Sequence, residues 1–235
     1  MIGIIGAMAI EVDGLLAIME SAEKTTISNM NFYAGKIAGK QVVVAQCGVG
    51  KVHAAMCTQA MITGFPVAGI INLGVAGAID NVLNIGDVVV SSDIVHHDVS
   101  TGSGEFGGPL GHVSGIDVLA FPADKQLAAS AIAAFDFDFA DSGRKSHHGR
   151  IATGDQFVDT PTQKQYISDN FSALCTEMEG AAIAQVCYIN QIPFVVIRAI
   201  SDKADGSAEM DFFAFVSQAA ENSIKVVTKM LEEGL

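Results

Sequence analysis

The chain has 235 residues, 50% of them hydrophobic and 17% charged, with a net charge of −13. A chain this apolar is neither disordered nor fibrous, and 13 basic against 26 acidic residues argue against a surface that neutralises nucleic-acid phosphates. The length suits one α/β domain whose core needs no disulfide or metal staple, and so little charge predicts an apolar patch covered by a second copy of the chain.

Residues 2–7 are the first near-continuous apolar run, the pattern of a strand buried on both faces. No basic segment precedes them, so they read as a strand and not as a secretion signal. A helix is expected over 10–20, a strand over 41–47, a helix over 52–63, and strands over 68–75 and 87–95. Residues 98–121 form the least regular stretch, crowded with Gly102, Gly104, Gly107, Gly108, Gly111 and Gly115. A loop of that length is either a lid or a surface segment without a role. Helices follow over 125–134 and 180–190, then a strand over 193–200. The closing helix, 210–233, spaces Phe212, Phe215, Val216, Ala219, Ile224, Val227 and Met230 for packing on a sheet. Strands alternating with helices predict a largely parallel sheet covered on both faces. No apolar run reaches the roughly 20 residues of a membrane span. Cys47, Cys57, Cys175 and Cys187 sit in apolar runs without a C-x-x-C pair, which reads as reduced, buried thiols of a cytoplasmic protein.

Gly48-Val49-Gly50-Lys51 follows a strand and opens a helix. It is either a phosphate cradle or a tight turn. Ala45 and Val52 break the Walker pattern, and His53 stands where a dinucleotide fingerprint needs glycine. Asn72-Leu73-Gly74-Val75-Ala76-Gly77 is a second glycine-rich strand end, where backbone amides can approach a ligand. The adjacent histidine pairs, His96-His97 and His147-His148, point to opposite faces if they lie on strands, so no metal site is expected. No G-x-S-x-G elbow supports covalent catalysis. Glu11, Glu177, Glu179 and Asp202 fall at strand ends or helix starts, and Arg198 lies inside a buried run, where its charge must be paired. The set is either a structural Arg–Glu pair with capping carboxylates or an active site of acids around one arginine.

Five segments occur in a characteristic order: Ile4-Ile5-Gly6-Ala7-Met8 with Glu11, Gly48-Val49-Gly50-Lys51, Thr153-Gly154-Asp155-Gln156-Phe157, Glu177-Met178-Glu179-Gly180-Ala181 and Arg198-Ala199-Ile200-Ser201-Asp202. Together they resemble the 5′-methylthioadenosine/S-adenosylhomocysteine nucleosidases of the purine nucleoside phosphorylase superfamily, nearly end to end. The resemblance implies a single domain over 1–235, a three-layer α/β/α sandwich around a mixed, largely parallel sheet, and a homodimer. It implies hydrolysis of an adenine N-glycosidic bond with no metal or organic cofactor. Asp202 would protonate the departing adenine, supported by Ser201, and Glu11 would activate water held with the help of Arg198. Glu179 would grip the ribose hydroxyls, with Met178 against the sugar. Phe157 and the Val158 backbone would hold adenine, and Met8, Val49 and Phe212 would form the 5′-alkylthio pocket. Val75, Gly77 and Glu177 join the binding set without a separate role. Phe106 and Pro109 belong to a loop that such proteins lend across the dimer.

Val75 and Cys47 stand where many members carry serine, which bears on substrate preference. The alternatives are a phosphate-dependent purine nucleoside phosphorylase, a related aminodeoxyfutalosine nucleosidase, or a non-catalytic nucleoside-binding protein. A phosphorolytic site needs groups that cup phosphate, and a carboxylate at Glu11 repels it.

Overall fold

The computed structural model describes residues 1–102 and 107–234. Among them, ten strands share one sheet: β1 (Ile2–Gly6), β2 (Glu20–Ile27), β3 (Met30–Ile37), β4 (Lys40–Gln46), β5 (Gly69–Ala78), β6 (Val88–His96), β7 (Phe121–Pro122), β8 (Ser146–Thr153), β9 (Cys175–Glu177) and β10 (Phe194–Asp202). The helices are α1 (Ala9–Ala17), α2 (Lys51–Gly64), α3 (Lys125–Phe139), α4 (Pro161–Phe171), α5 (Gly180–Asn190) and α6 (Ala208–Glu233).

Strand parity sorts the core into two layers. On β1, Ile4 faces one layer and Ile5 the other; on β4, Val42 and Val44 oppose Val43 and Ala45. One layer lies under α2 and α5, through Ala54, Cys57, Met61, Ile183 and Cys187. The other lies under α1, α3 and α6, through Leu15, Ala131, Phe135, Val227 and Met230. This is a mixed α/β sandwich with helices on both faces of a central sheet.

The sheet is open at one end and closed at the other. From β5 it runs outward through β1, β4, β3 and β2. The other edge of β5 pairs with β10, the β1 edge pairs further along with β9, and β10–β6–β8–β9 completes a ring. On β5, β1 pairs with Gly69–Asn72 and β9 pairs with Gly77 and Ala78. Between those two pairings a window opens in the ladder, at the carboxyl end of β1.

All five apolar runs predicted as strands lie in β1, β4, β5, β6 and β10, and the five predicted helices are α1, α2, α3, α5 and α6. Three bounds move. The first helix ends at Ala17, because Glu20 opens β2. β5 extends to Ala78. β10 extends through Ser201 and Asp202, so these two residues end the strand. The β2–β3 hairpin, β8, β9 and α4 are elements that apolar periodicity does not mark. β2 is exposed along nearly its whole length. It is held instead by a two-residue turn, Ser28-Asn29, both with positive φ, which suits the twist of a tight hairpin.

Helix α1 carries Glu11, and its buried anchors are Val12 and Leu15. Leu15→Ala should cost about 2–5 kcal/mol of stability through lost transfer energy and a residual cavity. A chemical-denaturation midpoint unchanged from the wild type would contradict this packing.

Candidate active site

A cavity of about 530 Å³ opens where β1, β5, β9 and β10 end. Its floor carries Glu11, Glu177, Glu179, Ser201 and Asp202; its walls carry Met8, Val49, Val75, Phe157, Val158, Met178 and Phe212. No lysine, arginine or histidine lines it among the described residues.

Glu11 is the third residue of α1 and folds back over the helix start. Its Oε2 accepts N–H bonds from Ala7 at 2.7 Å and Met8 at 2.9 Å, half of a capping box. Its Oε1 accepts the Val75 N–H at 3.1 Å, in the window between the β1 and β9 pairings. Gly74 makes this approach feasible, since a Cβ there would lie 2.6 Å from Glu11 Oε1 and 3.2 Å from Arg198 Nη1. Burial raises the Glu11 pKa; Arg198 and the three backbone donors oppose that rise without cancelling it.

Arg198 is buried within β10. Its Nη2 pairs with Glu177 Oε2 and bonds Asn72 Oδ1 at 2.6 Å, while Asn72 Nδ2 holds the Ile5 carbonyl at 2.9 Å. Glu177 also accepts the Thr153 hydroxyl, the Glu179 N–H at 3.0 Å and the Gly180 N–H at 2.7 Å. Thr153 Oγ1 accepts the next amide of α5, from Ala181, at 2.8 Å. The start of α5 is therefore capped by Glu177 and Thr153. Glu179 takes the Gly50 N–H at 2.8 Å. Burial, aided by the neighbouring Glu177 charge, pushes its pKa up to about 8.

Asp202 accepts the Ala204 N–H at 2.8 Å and the Ser201 hydroxyl at 2.9 Å. Burial raises its pKa above the ordinary aspartate value, with Asp211 and Asp205 adding to the rise. Gly77 clears the space beside it: a Cβ there would lie 2.7 Å from Asp202 Oδ1. Above this acid, Phe157 meets Phe212 edge to face, with ring centres 5.8 Å apart.

The glycine-rich turn after β4 is a tight turn and not a phosphate cradle. Gly48 and Gly50 have φ of +90° and +98°, and the amides at the start of α2 are taken by carboxylates, Gly50 by Glu179 and Lys51 by Asp155 at 2.8 Å. Both readings of the Arg–Glu set hold in part: Arg198 and Glu177 are an internal ion pair, while Glu11, Glu179 and Asp202 face one cavity.

One expectation needs correction. Arg198 lies behind Glu11 and Gly74, off the cavity wall, because its parity on β10 points it at Asn72 and Glu177. Glu177 reaches the cavity, but four protein donors occupy its carboxylate. Pro109, expected on a loop that reaches a neighbouring copy, is exposed and does not line this chain's own cavity. Phe106 lies outside the described residues. The cavity also includes Ala7, Ala76, Gln156, Asp159, Thr176, Glu209 and Phe213, which the sequence reading did not select. Most of these adjoin a recognised segment, and Glu209 lies one turn before Phe212 on α6.

Residues 1–232 match the profile of the Phosphorylase superfamily. A 5′-methylthioadenosine/S-adenosylhomocysteine nucleosidase from Shewanella pealeana is 41% identical over 234 residues, covering 99% of each chain. The chain belongs to this nucleosidase family. The Neisseria meningitidis nucleosidase, solved in complex with methylthio-immucillin-A, superposes on it with a TM-score of 0.92 at 36% identity, over 99% of this chain and 98% of that one. A futalosine hydrolase from Helicobacter pylori superposes with a TM-score of 0.90 at 34% identity, over 99% and 97% of the two chains.

The raised pKa of Glu179 has a cost in stability. An unfolded glutamate ionises near pH 4.5, whereas this one holds its proton to about pH 8. The folded state thus binds more protons over that window, and stability falls as pH rises through it. Glu179→Gln should raise the melting temperature more at pH 9 than at pH 5. Equal changes at the two pH values would contradict the assignment.

Proposed function

We propose that the chain hydrolyses the N-glycosidic bond of 5′-methylthioadenosine and S-adenosylhomocysteine, releasing adenine and a 5-thioribose product. The observation that carries this reading is the cavity's charge pattern. Glu11 and Asp202, both with raised pKa, face one space whose described lining holds no cation. A phosphate nucleophile would meet carboxylates there, whereas water would not be repelled.

Adenine leaves poorly as an anion, so it must gain a proton as the bond breaks. Asp202 is the acid. Desolvation favours its neutral form, and Ser201 and the Ala204 amide fix its orientation. Glu11 is the base for water, strengthened by its raised pKa and fixed by three N–H bonds. Arg198 acts on that water only through Glu11, since it stands behind it. Glu179 forms hydrogen bonds with the ribose hydroxyls. Two carboxyls facing one cavity echo the acid–base pair of inverting glycosidases, where water fits between.

Phe157 stacks on adenine and the Val158 backbone reads its edge. Met178 lies against the ribose. Met8, Val49 and Phe212 receive the 5′-alkylthio group, where sulfur, methyl and ring edges interact favourably. Val75, in place of a serine, offers the site its backbone N–H alone, and Glu11 already holds that. The whole chain acts as one domain in a cytoplasmic homodimer. Val49, Val52 and Met56, exposed at the start of α2, supply an apolar face for the second copy. The loop with Pro109 closes the neighbour's cavity. An aminodeoxyfutalosine-type nucleoside is the second reading, supported by the likeness to the H. pylori futalosine hydrolase.

Adenine release should be independent of added phosphate; a rate proportional to phosphate would establish phosphorolysis instead. Asp202→Asn should lower kcat by roughly 10²–10⁴-fold, the usual worth of general acid catalysis, and leave binding of a non-hydrolysable analogue nearly intact. A competition assay with the futalosine-type nucleoside ranks the two substrate readings.

A further inference from the structure

The reaction above assigns Glu177 no step. Its carboxylate touches the cavity and accepts four hydrogen bonds from the protein. Three elements meet on it: Arg198 from β10, Thr153 from β8 and the amides of Glu179 and Gly180 at the start of α5. Arg198 in turn lies between two carboxylates. Its Nη2 is held by Glu177 and Asn72. Its Nη1 faces Glu11 across the space that a Cβ on Gly74 would fill.

We propose that Glu177 is a positioning residue for the hydrolytic base: it holds the Arg198 guanidinium and neutralises its charge, so that Glu11 keeps the basicity needed to activate water. The same carboxylate, through the Glu179 N–H, fixes the backbone that aims Glu179 at the sugar. This inference rests on reading Glu11 as the base.

The surrounding charges fit. Although burial opposes ionisation, Arg198 and the Thr153 hydroxyl hold Glu177 below the ordinary glutamate range, so it stays ionised at neutral pH. The other titratable groups near Glu177 are Glu179, Cys175, His96 and His97. Burial raises the Cys175 thiol pKa and favours the neutral form of both histidines. No second cation therefore competes for Glu177 among the described residues. Without the Glu177 charge, Arg198 would be an uncompensated buried cation beside Glu11, and its field would stabilise the Glu11 carboxylate. A carboxylate so stabilised ionises at lower pH and is a weaker base.

The test is the pH profile of kcat and kcat/KM for methylthioadenosine in the wild type, in Glu177→Gln, and in the charge-neutral double variant Glu177→Gln, Arg198→Gln. In Glu177→Gln the acid limb of kcat/KM should move down by about one pH unit. The plateau kcat should fall about tenfold, and KM should change by less than about threefold. In the double variant, which buries no unpaired charge, the acid limb should return to within about half a unit of the wild type. A Glu177→Gln enzyme with a lower melting temperature but an unmoved acid limb would show a merely structural role and overturn the proposal. Should the single variant not fold, the double variant decides: an acid limb displaced by more than about one unit overturns the proposal, and a wild-type limb supports it. A wild type that releases no adenine at any pH would instead overturn the nucleosidase reading itself.

Discussion

One buried cation serves three buried glutamates. Arg198, Glu11, Glu177 and Glu179 are all withdrawn from water, where unpaired charge is expensive. A single guanidinium satisfies one carboxylate fully, and it is Glu177 that receives the direct ion pair. Glu11 is left with backbone donors and a more distant field, and Glu179 with one amide. The unequal division pushes Glu179 up to about 8 and Glu11 above its ordinary value. A cavity with this surplus of acid is complementary to a species that becomes positive, as a ribosyl group does when its base departs.

Backbone geometry makes the arrangement possible. The ring, through β9, and the open sheet, through β1, share one edge of β5 and leave a stretch of it where the ladder is interrupted. Glu11 fills that interruption by accepting the Val75 amide. The carboxylates come so close to the main chain that glycine is required at Gly74 beside Glu11 and at Gly77 beside Asp202, where a Cβ would come within 2.7 Å of a carboxylate oxygen in each case. The two glycines that marked this strand end in the sequence therefore make room for side chains of the protein, and only through them shape the space for a ligand.

Much of this was legible in the sequence because burial on both faces writes itself as continuous apolar runs. β1, β4, β5, β6 and β10 are visible for that reason, and they carry or abut Glu11, Gly74, Gly77, Arg198 and Asp202. The β2–β3 hairpin is not visible, since exposed β2 has no apolar alternation to display. Nor does α4 stand out, with Ile167 and Phe171 its only buried residues. The site's residue types were legible through five ordered segments, but their pairing was not. Glu177 and Arg198 meet because β9 and β10 both pair with β5, a relation of register that no local spacing encodes. That is why Arg198 looked like a water ligand and Glu177 like a wall residue, when each is first the other's counter-ion.

The same division of charge bears on the choice of nucleophile. A site built to bind phosphate would need the α2 amides and a cation turned toward the substrate. Here those amides are spent on Glu179 and Asp155. The one nearby arginine is spent on Glu177, and the Val75 amide on Glu11. Each of these donors already holds a carboxylate of the protein. An incoming anion would have to displace one of them, uncovering a buried charge at the same time, which costs far more than binding a neutral molecule. Water carries no such penalty. Hydrolysis over phosphorolysis thus follows from how the protein satisfies its own buried acids.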